Sequence, residues 1–164
     1  MIEILLGAVI FAKSDYVQGC LVKQMKSHEF KKEYIAILEG VLESDKGTIN
    51  APIARKEGSI IQRCVNENGH ESITHYEVVE RLDNATIVKF TLETGRTHQL
   101  RVHSNHIGHP IIGDTLYGSS SDLISRQALH SHRISFVHPI TKEHTEYVAP
   151  IPKDILKLFY STSI

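Results

Sequence analysis

The chain has 164 residues, 41% of them hydrophobic and 23% charged, with a formal net charge of −1. That is enough for one domain with its own core and little more. It argues against a free-standing polycation, because phosphate neutralisation supplies much of the affinity of nucleic-acid binders; any such role needs a local basic patch or another domain. Ile4 to Ala12 is an apolar run far too short to span a bilayer, and Glu3 precedes it with no Lys or Arg, unlike a secretory leader. Ala8 to Ala12 is predicted as a buried core strand, so the sequence starts almost inside a strand. Ser14 is a candidate N-cap for a helix from Asp15 to about Lys26, with Val17, Leu21 and Met25 at helical spacing.

Lys32 to Gly40 alternates as a strand, with Tyr34, Ala36 and Leu38 on one face and Ile35 and Ile37 on the other. Short strands around Pro52 are predicted between Gly47 and Cys64. Ser72 to Leu82 and Thr86 to Leu92 read as an antiparallel hairpin turning at Asp83-Asn84. Thr97 is predicted to cap the next helix, which carries Leu100, His103 and Ile107 on one stripe and ends at Gly108. Ala128 to Val137 and Glu146 to Ala149 are two further strands. Pro152 opens a last helix with Ile155, Leu156 and Phe159 apolar. Cys20 and Cys64 fall in unrelated contexts and read as free thiols of a reducing cytosol. The pattern is α+β: a single domain with a mixed, mainly antiparallel sheet and interspersed helices.

The most informative stretch is Thr94 to His103, Thr-Gly-Arg-Thr-His-Gln-Leu-Arg-Val-His, followed by Gly-His-Pro-Ile-Ile-Gly-Asp-Thr-Leu-Tyr-Gly at 108–118. It places Arg96, Thr97, His98, Gln99 and Arg101 at a predicted helix start, where unpaired backbone N–H groups and two guanidinium groups suit a phosphate or a carboxylate. Together with Lys31 to Ala36, Thr74-His75-Tyr76, Ala128-Leu129-His130 and His138-Pro139, these segments occur in the order and roughly the spacing of the RluA-type, or large-subunit type, RNA pseudouridine synthases. Phe11-Ala12-Lys13 looks like the strand that follows that family's catalytic loop.

The resemblance implies that residues 1–164 are the C-terminal portion of a pseudouridine synthase catalytic domain, without an accessory RNA-binding domain. It implies isomerisation of a flipped-out uridine in structured rRNA or tRNA, in the cytoplasm, without a cofactor or metal. Tyr34 is then the tyrosine that stacks on the base and assists proton removal from C5. Arg101 is the candidate partner of the family's aspartate, with Arg96 leaning toward RNA phosphate or loop support, and Leu100 is the apolar floor under the base. His98, Lys13, Lys31, Lys32, His132 and Arg133 are candidates for contact with RNA.

The family holds its aspartate in an Arg-Leu-Asp-x-x-Thr-Ser-Gly loop just before the Phe-Ala-Lys strand. Counting back from Phe11-Ala12-Lys13, Gly7 falls on the loop's glycine, Leu6 and Leu5 replace Ser and Thr, and the aspartate's slot is Ile2. Glu3 is adjacent, but on a strand it points to the opposite face. Arg81-Leu82-Asp83 spells the triplet, yet Asn84-Ala85-Thr86 follows and the position is that of a β-turn. The chain by itself is therefore expected to be weakly active or inactive, and to self-associate through an exposed sheet edge or apolar patch. Two alternatives stand beside this reading: a non-catalytic RNA-binding remnant that uses the same Arg96, Arg101 and Tyr34, and a metal-dependent hydrolase built on His98, His103, His106 and His109, whose spacing lacks a His-Glu-x-x-His arrangement.

Overall fold

The computed structural model describes residues 6–161. Ile2 and Glu3, the slot and its neighbour, lie outside the described residues. The elements are β1 (Leu6–Gly7), α1 (Asp15–Lys26), β2 (Lys31–Glu39), β3 (Lys46–Asn50), β4 (Ile53–Arg55), β5 (Arg63–Val65), β6 (Ile73–Arg81), β7 (Ala85–Leu92), α2 (Gln99–His106), β8 (Leu129–Val137), β9 (His144–Val148) and α3 (Lys153–Ser161). Seven strands form one sheet in the order β1-β8-β2-β7-β6-β3, with β9 added to β8, and β4 and β5 form a separate ribbon. Only the β1–β8 pairing is parallel; the rest are antiparallel, which is the mixed α+β architecture expected.

The hairpin alternation is obeyed. Tyr34 pairs with Phe90 and Ala36 with Val88, while Tyr76 and Val78 meet the same two β7 residues from the other side. A bulge between Val78 and Glu80 turns Val79 outward. The main core gathers Ala36, Ile37, Leu38, Ile87, Val88 and Phe90 with Leu100 of α2, Ile111, and Ile155 and Leu158 of α3. Leu158, which the sequence reading passed over, is more deeply buried than Leu156. A smaller cluster joins Leu21 of α1 to Phe30, Ile134 and Phe136. Helix α1 begins where expected, with the Ser14 hydroxyl accepting from the Val17 N–H. Gln24 fixes α1 to the sheet by donating to the Val137 carbonyl and accepting from the Val137 N–H.

The strand expected over Ala8–Ala12 is not formed. The Ala8 N–H donates to the Ser131 carbonyl, and regular pairing stops there because β9 occupies the β8 edge from Arg133 to Val137. With that edge taken, residues 8–12 run irregularly and Phe11 is 84% exposed. The expected helix start is also corrected. Thr97 is not the cap; His98 is the N-cap, in the left-handed region at φ 57°, with no side-chain cap bond, and α2 begins at Gln99.

Candidate functional site

Helix α2 lies over the sheet face that carries Tyr34. Between them is a cavity of about 200 Å³ whose lining includes Tyr34, Leu92, Arg96, Leu100, Arg101 and Leu129. Tyr34 comes from β2, Leu92 from β7, Leu129 from β8, and the rest from the turn and first residues of α2, so the sheet alternation and the helix register together make the hollow. The expected convergence of Tyr34, Leu100 and Arg101 is therefore present, with Arg96 and His98 at the same cavity.

Gln99 holds the Thr-Gly-Arg turn against the sheet. Its Oε1 accepts from the Thr94 hydroxyl and the Arg96 N–H, and its Nε2 donates to the Ile73 carbonyl and the Thr74 hydroxyl oxygen. Gln99 thus pins the turn that precedes α2, while none of the first N–H groups of the helix takes a side-chain cap. Thr74 passes the chain of bonds on to buried His103, whose Nε2 faces the Ala51 carbonyl at 2.9 Å and whose Nδ1 lies 2.9 Å from the Thr74 hydroxyl. A carbonyl only accepts, so Nε2 carries the proton and Nδ1 accepts.

Burial pushes the His103 pKa below the ordinary histidine value, with the nearby His106 adding to the shift and the Ala51 carbonyl opposing it. Because the folded value is the lower one, the unfolded chain takes up the proton first. The contribution to stability is full above about pH 6.5 and is lost as pH falls toward the folded value. The melting temperature is expected to drop between about pH 7.5 and about pH 5.5, and His103→Gln should flatten part of that dependence.

Arg101 is buried, and a carboxylate that the sequence reading did not assign to it holds it in place. Its Nε and Nη2 donate to the two oxygens of Asp114, each at 2.7 Å. The Asp114 side chain has no exposed surface, and its Oδ1 also accepts from the Leu116 and Tyr117 N–H groups. The Arg101 guanidinium also lies 5.0 Å from the centre of the Tyr117 ring. Tyr117 Oη accepts from the Arg63 N–H of β5 and sits 2.8 Å from His98 Nδ1. Asp114 and Tyr117 belong to the Gly-Asp-Thr-Leu-Tyr-Gly loop, which was legible as constrained; Gly113 there takes φ 74°.

Tyr34 is partly buried, and burial raises its pKa against the lowering effect of a hydrogen bond to Ser131. Its phenol therefore stays protonated across neutral pH. Lys32 lies one alternation away on β2, with its Nζ beside Gly95, where an added Cβ would meet it at 3.4 Å; burial lowers its pKa.

The other residues predicted for RNA are not gathered at this cavity. Arg133 is held by Glu33 and Glu146, because its register opposite Glu33 puts it on the sheet face away from Tyr34. Lys31 is exposed beside Ser135 in register. His132 bonds the Ala149 carbonyl, and Lys13 lines a separate apolar hollow with Phe11 and Tyr147. The histidines proposed as metal ligands turn to separate partners: His98 to Tyr117, His103 to Thr74 and Ala51, and His109 to the Glu39 carbonyl. Among the described residues no three metal-ligating side chains come together. Asp83 of the decoy triplet is an exposed bend residue.

Comparison with known proteins gives consistent results. Residues 6–106 match the family described as RNA pseudouridylate synthase. The RNA pseudouridine synthase YjbO of Bacillus subtilis strain 168 is 43% identical over 152 residues, covering 93% of this chain and 54% of that protein. Ribosomal large subunit pseudouridine synthase D of Xylella fastidiosa is 37% identical over 166 residues, covering 93% of this chain and 50% of that protein. The chain thus spans about half the length of these relatives. The solved structure of human RNA pseudouridylate synthase domain containing 1 superposes with a TM-score of 0.72 at 31% identity, covering 85% of this chain and 62% of that one. No helix among the described residues is long and apolar enough to cross a membrane.

Proposed function

The chain belongs to the RNA pseudouridylate synthase family, and on that footing we propose that it receives an everted uridine of RNA in the Tyr34–Arg101 hollow for isomerisation to pseudouridine. The observation that carries this reading is the convergence of Tyr34, Leu100 and Arg101 on one cavity. A stacked uridine cannot reach such a cavity, so the base must leave the helix, which favours loop or single-stranded positions. Leu100 and Leu129 give the base an apolar floor and Tyr34 gives it a face to stack on. With its pKa raised, the Tyr34 phenol acts as a neutral ring and hydrogen-bond donor; taking the C5 proton would require a partner to remove its own. Asp114 fixes the plane of the Arg101 guanidinium, which presents a preset positive charge to the hollow.

The isomerisation balances within the nucleotide. The N1–C1′ bond breaks, C5 joins C1′, the C5 proton leaves and N1 takes one up. It needs a carboxylate as nucleophile or base. Asp114 does not suit that role, because Arg101 and two backbone N–H groups engage both its oxygens away from solvent. We therefore assign the 164-residue chain the base-receiving part of the reaction, with weak or no turnover alone. The substrate is structured RNA in the cytoplasm, and the relatives named as ribosomal large subunit synthases favour rRNA over tRNA. The exposed Val9 and Phe11 side chains offer a surface for self-association, which sedimentation over a wide concentration range would detect.

Two readouts test the reading. A 2-aminopurine placed beside the target uridine brightens when its neighbour unstacks. Several-fold brightening by this chain, lost in Tyr34→Ala, is the expected result; no brightening with any structured RNA would overturn base reception. Release of tritium from RNA labelled at uridine C5 reports turnover. None is expected from this chain alone, and release that Glu3→Gln abolishes would give the acidic role to Glu3. Brightening and binding without turnover would also fit a non-catalytic RNA-binding protein, which an added carboxylate-bearing segment from a relative would fail to activate.

A further inference from the structure

The arginines fall into two sets. Arg81 meets Asp45, Arg101 meets Asp114, Arg126 meets Asp154, and Arg133 meets Glu33 and Glu146. The chain's remaining arginines, Arg55, Arg63 and Arg96, have no carboxylate partner among the described residues. All three line one hollow of about 280 Å³, which they share with His70 and Thr97 and with no acidic side chain.

Arg55 and Arg63 are directly opposed in the β4–β5 ribbon. Like charges directly opposite one another destabilise an antiparallel pair, and this ribbon is only three residue pairs long. Backbone carbonyls take part of the donor sets, Ile61 and Gln62 for Arg63 and Glu71 for Arg96, and an anion between the guanidinium groups would relieve the repulsion that remains. Basic surroundings do not explain the facing arginines: the whole chain carries a net charge of −1, and carboxylates such as Glu33 and Glu77 line a hollow on another part of the sheet.

The position of this hollow gives it a ligand. Arg96 lines both it and the Tyr34 cavity. On its other side Arg63 also lines a third hollow of about 410 Å³, which adds Lys56 and His106 and again holds no carboxylate. The Arg63 N–H bond to Tyr117, with Tyr117 against His98 and Arg101, ties the ribbon to the wall of the base cavity. We infer that Arg55, Arg63 and Arg96 form a phosphodiester subsite that grips the RNA strand immediately beside the everted uridine, and that Lys56 and His106 carry the same strand onward. The planar donor forks of arginine match paired phosphate oxygens. The identity of the strand as RNA rests on the function proposed above; the affinity for phosphate does not.

The test has two arms. In the first, the isotopically labelled chain is titrated with inorganic tripolyphosphate while the arginine Nε–H signals are followed by NMR. The largest shifts are expected at Arg55, Arg63 and Arg96, with Arg81 and Arg126 unmoved; uniform or absent shifts would overturn the subsite. In the second, fluorescence anisotropy measures RNA binding across a salt series. Each lost contact should make the slope of log affinity against log salt shallower by about 0.7. Arg55→Gln and Arg55→Gln with Arg63→Gln are expected to show that stepwise change, with several-fold weaker binding at low salt and Lys26→Gln unchanged. A slope unaffected by both variants would also overturn the subsite. Arg55→Gln should melt no lower than the parent, since it relieves repulsion, so misfolding cannot imitate the loss. Localised tripolyphosphate shifts without RNA binding would uphold the anion subsite and count against the RNA reading alone.

Discussion

Asp114→Ala is expected to destabilise the protein by about 3–5 kcal/mol, because it leaves the Arg101 guanidinium buried without its counter-charge. At about 2–4 °C per kcal/mol for a chain of this size, the melting temperature should fall by roughly 6–20 °C. The effect follows from burial as much as from attraction: both side chains are withdrawn from water, and the Leu116 and Tyr117 N–H groups lose their acceptor as well. Replacing both members, Arg101→Met with Asp114→Leu, is expected to cost less than the sum of the single changes, since no charge is then stranded. Urea unfolding of the two single variants and the double variant provides the cycle. A loss under about 1 kcal/mol for Asp114→Ala would mean that the pair is solvated in solution.

Gln99→Ala is expected to cost about 2–4 kcal/mol, given about 1–3 kcal/mol for a buried polar group left unpaired. The Ile73 carbonyl would lose the Gln99 amide as a donor, and the Arg96 N–H would lose its acceptor. Gln99 is only 2% exposed, so water cannot readily take its place. Gln99→Glu discriminates further. A carboxylate can still accept from Thr94 and Arg96, but it places negative charge against the Ile73 carbonyl. Its loss of stability should therefore be at least as large near neutral pH, and smaller in acid, where a protonated side chain can donate. RNA affinity should fall in both variants, because the turn that carries Arg96 is released from the sheet. A Gln99→Glu protein as stable as the parent would show that the donor half of the amide is dispensable.

Much of the architecture could be read along the chain because its cause is local. Alternation from Lys31 to Glu39 set Tyr34 on the face of Ala36 and Leu38, and the β2–β7 register keeps it there. Ser14 and Asp15 marked the start of α1, and the Asp83-Asn84 turn joined the β6–β7 hairpin. The candidate site was partly legible for the same reason, since Leu100 and Arg101 lie on the first turn of a helix that the following pattern required. The cap of that helix was misread by one residue, Thr97 for His98, because the turn ahead of it is held by Gln99, which bonds to Ile73 and Thr74 on a distant strand. Nothing in the Arg-Thr-His-Gln order reveals those partners.

The sequence by itself determined the fold class, the order of most elements and the faces of β2, because side-chain direction repeats with the backbone period. Tertiary structure alone decided which groups share a partner or an edge. β9 took the β8 edge beside residues 8–12, which were expected to form a strand, Asp114 came to Arg101 from across the following loop, and Arg55 was set opposite Arg63 and close to Arg96. Each of these is a competition for one hydrogen-bonding edge or one charge among groups far apart in the chain. Such competitions are resolved only once packing has fixed the distances between them.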